Sequence, residues 1–143
     1  MRTPILAVLS ALALILGVAG LAQAPATKPV GTMSELMIQM IYPTSDALFY
    51  VNREPPKDDK GWQELQRNAL ILGEAGNLLM MPGRARDDDR WMKDAKLLVD
   101  AGAAALKAAK AKDMEAILGL NEQLYQSCVT CHTDYRQGYG KRR

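Results

Sequence analysis

Apolar residues recur every three or four positions along most of the chain, which is the spacing of one face of an α-helix. Four such stretches are predicted, at about residues 32–51, 60–80, 87–110 and 113–135. Pro43 is expected to kink the first helix or to end its first segment. No stretch has the two-residue alternation of a strand. Amphipathic helices joined by short polar connections predict an all-α protein, an antiparallel four-helix bundle.

The composition fits one globular domain and excludes two classes of protein. The 143 residues carry 18 Lys+Arg against 16 Asp+Glu, and 48% of them are hydrophobic. Such a chain is neither an acidic disordered protein nor a strongly basic one built to hold nucleic acid. Large side chains are scarce, with one Phe, two Trp and five Tyr. The bundle would therefore be thin unless a flat cofactor occupied part of its interior.

The N-terminal residues have the pattern of a targeting segment. An apolar stretch over residues 5–22 follows a basic residue and precedes several small residues. This pattern predicts a secretory signal peptide over residues 1–24, cleaved within about two residues of Ala24. The alternative is a retained membrane anchor, because about 18 apolar residues is the lower limit for a spanning helix. With cleavage, residues 25–143 form the mature protein, which we expect in the periplasm without stable membrane insertion.

The two cysteines and the single histidine of the chain all fall within residues 128–132, Cys-Val-Thr-Cys-His. Offsets of three and four residues place Cys128, Cys131 and His132 on one face of the fourth predicted helix. Haem c attachment needs this set, because two thiols add to the two vinyl groups and an imidazole reaches the iron. The motif therefore predicts one covalently bound haem c on the C-terminal helix.

Three other interpretations of the cysteines stay open beside haem c. A Cys-x-x-Cys redox couple normally begins a helix that follows a strand, whereas this motif lies far along a helix. A structural zinc site needs more ligands than two Cys and one His. A disulfide between Cys128 and Cys131 would close too small a loop to add much stability.

The ending from Cys128 to Arg136 resembles that of the cytochrome c′ family, in which the haem motif closes the last helix and an aromatic and a basic residue follow. The helical pattern over residues 32–137 agrees, so the resemblance covers nearly all of the mature chain. It implies that Cys128 and Cys131 carry the thioethers. It also implies that His132 is the fifth iron ligand and that Arg136 lies near the proximal face. There Arg136 can meet a haem propionate, or it can be a solvated residue that the helix dipole favours.

In this family a residue of the first helix covers the other face of the iron and determines the function. The sequence offers Met33, Met37 and Met40 on one helical stripe, and Glu35-Leu36-Met37 resembles the place of that residue. Met37 is therefore the predicted sixth ligand, with Met40 as the reserve. The stripe also fits ordinary core packing. A methionine on iron favours an electron carrier, whereas a vacant position suits a five-coordinate cytochrome c′ that binds NO or CO.

The residues and the resemblance together predict a periplasmic electron-transfer protein that is not an enzyme. Its partners are expected to be redox proteins, with no nucleic acid among them, and a homodimer is compatible with the resemblance. A gas-binding cytochrome and a haemless helical interaction module are the other classes to be tested.

Two charged runs have simple explanations. Asp87, Asp88 and Asp89 precede the third helix, where acids cap free backbone amides, although a cation site is the alternative. The basic residues 141–143 form a short tail that is either solvated or able to steer an acidic redox partner.

Overall fold

The computed structural model describes residues 27–140. The predicted signal peptide over residues 1–24 and the basic tail over residues 141–143 lie outside this range. All regular structure between residues 27 and 140 is helical, and this part of the chain contains no strand. The prediction of an all-α protein is therefore confirmed. Within the same range, no helix combines the length and apolar character that crossing a bilayer requires.

The helices follow the order of the four predicted stretches. The first stretch contains α1, a π-helical turn and α2, which follow one another without interruption. The elements are α1 (Met33–Leu36), the π-helical turn (Met37–Ile41), α2 (Tyr42–Phe49), α3 (Asp59–Leu79), α4 (Arg90–Lys110), α5 (Met114–Gly119) and α6 (Asn121–Tyr135).

The first helix changes its hydrogen bonding just before Pro43. A capping box begins it: the Thr32 hydroxyl accepts from the Glu35 N–H at 3.2 Å, and the Glu35 carboxylate accepts from the Thr32 N–H at 2.8 Å. Further along, the Tyr42 N–H donates to the Met37 carbonyl, which is the five-residue step of a π-helix. Because Pro43 has no backbone N–H, the wider turn loses no hydrogen bond at this residue.

The fourth predicted helix is divided in two, which corrects the expectation of one helix from about Asp113 to Tyr135. The Leu120 N–H donates to the Ile117 carbonyl at 3.1 Å, a tight three-residue step that separates α5 from α6. Gly119 precedes this step, and glycine is a poor helix former. The Leu124 N–H then bonds to the Leu120 carbonyl at 2.9 Å, so α6 begins without a connecting loop.

Acidic side chains accept backbone hydrogen bonds at the starts of three helices. Asp58 accepts from the Gly61 N–H at 2.8 Å, and Asp113 accepts from the Ala116 N–H at 2.9 Å. Asp87 accepts from the Trp91 N–H at 2.9 Å. The acidic run before the third predicted helix therefore accepts hydrogen bonds from the first backbone N–H groups of α4, which itself begins at Arg90.

The helices enclose one apolar core within residues 27–140, and α3 and α4 approach each other very closely. A Cβ built at Gly102 would lie within 2.5 Å of Gly73 Cα, and one at Gly76 would lie 2.9 Å from the Val99 backbone nitrogen. Glycines on both helices thus permit this close crossing. Buried core side chains come from every long helix, among them Leu36, Ile41, Leu48, Leu65, Leu72, Leu79, Trp91, Leu98, Ile117 and Leu124.

Candidate haem site

The Cys-x-x-Cys-His motif lies in the second half of α6, within the helix and not at its start. Cys131 is buried, while Cys128 and His132 are partly buried. Both thiols are free. The helix therefore presents two thiols and an imidazole on neighbouring positions, as the sequence predicted.

Two cavities meet at this motif. The larger has a volume of about 180 Å³ and is lined by Met33, Met37, Arg86, Trp91, Cys131, His132, Tyr135 and Arg136. The smaller measures about 30 Å³ and is lined by Met37, Ile41, Leu79, Asp94, Leu98, Ser127, Cys128, Cys131 and His132. Met37, Cys131 and His132 line both, so the first helix and the motif border the same space.

The structure separates the three candidate methionines. Met37 lines both cavities, and Met33 lines the larger one. Among the described residues Met40 packs against the core but lines neither cavity. Met37 therefore borders the same space as His132 in both cavities, Met33 in one of them, and Met40 in neither. The other predicted site residue, Arg136, is exposed and lines the larger cavity.

Trp91 and Tyr135 form an aromatic wall of the larger cavity. Their rings pack edge to face with centroids 4.8 Å apart. The Trp91 indole N–H donates to the Leu79 carbonyl at 2.8 Å, and the Tyr135 hydroxyl donates to the Asp87 carboxylate. The wall therefore joins α4 and α6 to the end of α3 and to the acidic turn.

The surroundings of His132 favour its neutral form. Burial lowers the pKa of His132, and the positive charge of Arg136 lowers it further. The Tyr139 ring meets the imidazole edge to face at a centroid distance of 5.2 Å. A neutral imidazole is the form that binds a metal, so the local charges support ligation at neutral pH.

The pKa values of the two thiols are raised, whereas those of a reactive redox couple are lowered. Burial, followed by the negative charge of Asp94, raises the pKa of Cys131 to about 11. Burial also raises the pKa of Cys128, although the Ser127 hydroxyl opposes it. Reactive Cys-x-x-Cys pairs depend on a lowered thiol pKa. The environment of these thiols therefore argues against thiol–disulfide exchange as their function.

Sequence reasoning missed two residues at the site. Arg86 comes from the turn before α4, and Asp94 lies on α4 beside the buried stripe that contains Trp91 and Leu98. The sequence gives a weak indication that Asp94 belongs to the site, because an acid next to an apolar stripe falls near the core. It gives none for Arg86, because the position of Arg86 depends on how the turn folds over α6.

The donor set fits a covalent haem c. Two free thiols adjoin a neutral imidazole on α6, and the Met37 thioether borders the same cavities from another helix. The exposed guanidinium groups of Arg86 and Arg136 line the larger cavity, where they suit the carboxylates of haem propionates. Both cavities are smaller than the roughly 300–1,000 Å³ of ligand pockets. Haem binding therefore requires some of the lining side chains to move, and methionine side chains such as those of Met33 and Met37 are flexible enough to do so.

Within residues 27–140, no group of three or more His, Cys, Asp or Glu side chains is arranged to hold a metal ion. The chain matches no protein-family model, no curated protein and no solved structure.

Proposed function

We propose that this protein is a c-type cytochrome of the cytochrome c′ kind, an antiparallel four-helix bundle that carries single electrons. The observation that carries the proposal is that Met37 lines both cavities at the motif together with Cys131 and His132. A thioether and an imidazole that border one space from two helices would both be available as ligands to a haem iron.

Each residue of the motif has a separate task in this proposal. Cys128 and Cys131 would hold the group through thioethers, each formed by addition of the S–H bond across one vinyl group. His132 supplies a neutral nitrogen as the fifth ligand. Met37 supplies a soft sulfur, which stabilises ferrous iron and raises the reduction potential. When bound, haem supplies a one-electron Fe(III)/Fe(II) couple. The chain itself makes and breaks no substrate bond, so the protein is a carrier and not an enzyme.

The cellular setting follows from the predicted signal peptide. Cleavage near Ala24 would leave the mature protein in the periplasm, without stable membrane insertion. Its partners would be redox proteins and not nucleic acids. A homodimer is compatible with the exposed Ile38 and Tyr42, which lie four residues apart on the first helix.

A second candidate is a five-coordinate cytochrome that binds NO or CO. The observation that favours it is the larger cavity, which provides space between Met33, Met37 and His132. If both methionines move aside when haem binds, that space leaves the sixth position open to a small gas. The two candidates share the same attachment and differ only in the distal residue.

Absorption spectra of the holoprotein test the proposal. The full chain is matured in a periplasm with haem-ligation machinery and measured in the ferric, ferrous and ferrous-plus-CO states. We expect a low-spin spectrum with a sulfur-to-iron band that CO leaves unchanged. A high-spin ferric spectrum that changes with CO would support the gas-binding candidate instead.

The variant Met37→Ala, with Met40→Ala as its matched control, identifies the distal ligand. Met37→Ala should become high-spin and bind CO, whereas Met40→Ala should keep the wild-type spectrum. The reverse result would move the ligand to Met40. A wild-type chain without haem would exclude both cytochrome candidates and leave the helical interaction module.

A further inference from the structure

Asp94 is a buried acid whose position stability alone does not explain. It is 5% exposed and lies on α4, which packs against α6. Its Oδ2 atom is buried and has no hydrogen-bond partner within residues 27–140. Burying a carboxylate oxygen without a partner is costly. An acid at such a position therefore suggests a role in the adjoining site.

That site is the smaller cavity at the haem motif. Asp94 lines it together with Met37, Cys128, Cys131 and His132. The carboxylate and the proposed haem would thus share one mostly apolar space.

The charges that face Asp94 do not cancel its own. Burial raises the pKa of Asp94. Asp134 on α6 and Asp87 before α4 raise it further, and Arg90, the nearby cation on α4, lowers it. Arg90 is already engaged by Asp134, with 3.6 Å between Nε and Oδ2. In the described part of the chain Asp94 forms no ion pair of its own.

We propose that Asp94 tunes the reduction potential of the site by holding an uncompensated negative charge beside the haem. The inference rests on the proposed function. Oxidised haem carries one more positive charge than reduced haem, so a neighbouring carboxylate stabilises the oxidised form and lowers the potential. Met37 acts in the opposite direction, because a soft thioether favours the reduced form. The potential would then reflect the balance between Asp94 and Met37.

Redox titration of the holoprotein tests this role. The midpoint potential is measured for the wild type, Asp94→Asn, Asp94→Leu and the control Asp100→Asn. Asp100 lies on the same helix, but it is exposed and pairs with Lys96 at 2.6 Å. Both Asp94 variants should raise the equilibrium constant for reduction about tenfold, or about 59 mV for a one-electron couple. Asp100→Asn should produce a much smaller change.

Two neutral variants of different shape distinguish charge from structure. Shifts of opposite sign in Asp94→Asn and Asp94→Leu, or shifts no larger than that of Asp100→Asn, would overturn the role of the charge. Haem content, measured as the pyridine haemochrome, separates this failure from a larger one. A wild type that contains no haem refutes the proposed function and the inference together. Haem that is present with an unchanged potential refutes the inference alone.

Discussion

The indole of Trp91 and the phenol of Tyr135 meet edge to face, with 4.8 Å between their ring centroids. This contact joins the first turn of α4 to the last turn of α6, one turn beyond His132. The indole N–H also bonds to the Leu79 carbonyl at 2.8 Å, so a third helix is tied to the same point. The direction in which α6 presents its motif therefore depends on Trp91.

Replacing Trp91 by Phe should destabilise the protein. The smaller ring leaves a void in the core and leaves the Leu79 carbonyl without its donor. We expect the free energy of unfolding to fall by about 1–3 kcal/mol, measured by urea denaturation. The control is Trp62→Phe, because Trp62 is only partly buried. An equal loss in both variants would contradict the special role of Trp91.

The crossing of α3 and α4 should tolerate no added methyl group at Gly102. Since the new Cβ would meet the Gly73 backbone, Gly102→Ala should lower the free energy of unfolding by about 1–3 kcal/mol. Gly119→Ala is the matched control, because a Cβ there meets no atom of residues 27–140 within 4 Å. Thermal or urea unfolding of the two variants measures the difference. A neutral Gly102→Ala would mean that the helices are farther apart than described.

His132 is the only histidine in the chain, so its NMR signal needs no assignment by mutation. In the haem-free protein we expect its pKa to lie below 6.5, because of burial and the Arg136 charge. Arg136→Gln should raise the pKa of His132, while the exposed Arg67→Gln should leave it unchanged. A lowered pKa means that the unfolded chain binds the proton more readily. The stability contributed by His132 is therefore present above pH 6.5 and is lost as the pH falls below it. A His132 pKa above 6.5, or one that Arg136→Gln leaves unchanged, would contradict the described geometry.

Alkylation of the haem-free protein reports on Cys131. Because the thiolate is the reactive form and the pKa of Cys131 is raised to about 11, its labelling by iodoacetamide should keep accelerating well above pH 9. Asp94→Asn should lower the pKa of Cys131 and shift that rise to lower pH. Peptide mass spectrometry distinguishes Cys131 from Cys128. Rapid labelling of Cys131 at pH 7 would instead favour a reactive redox cysteine.

Much of the fold was predictable because the apolar stripes are long and regular. The caps made by Asp58 and Asp113 are equally local, since each involves a residue only three positions away. The π-helical turn before Pro43 and the division at Leu120 were not predictable. Both result from local hydrogen-bond choices that an apolar pattern does not encode.

The site was predictable only where neighbouring residues form it. Cys128, Cys131 and His132 follow from spacing within one helix. The choice between Met37 and Met40 required the register of another helix against α6, which periodicity leaves undetermined. Arg86 and Asp94 reach the motif through tertiary packing, so no local pattern marks them as site residues.

The most direct test of the central claim is mass spectrometry of the denatured protein after maturation in a haem-competent periplasm. We predict that the wild type retains the mass of one haem and that the modification maps to the peptide containing Cys128 and Cys131. The double variant Cys128→Ala with Cys131→Ala should retain none. A wild type that carries no haem mass, although a known c-type cytochrome matured in the same cells does, would contradict the account.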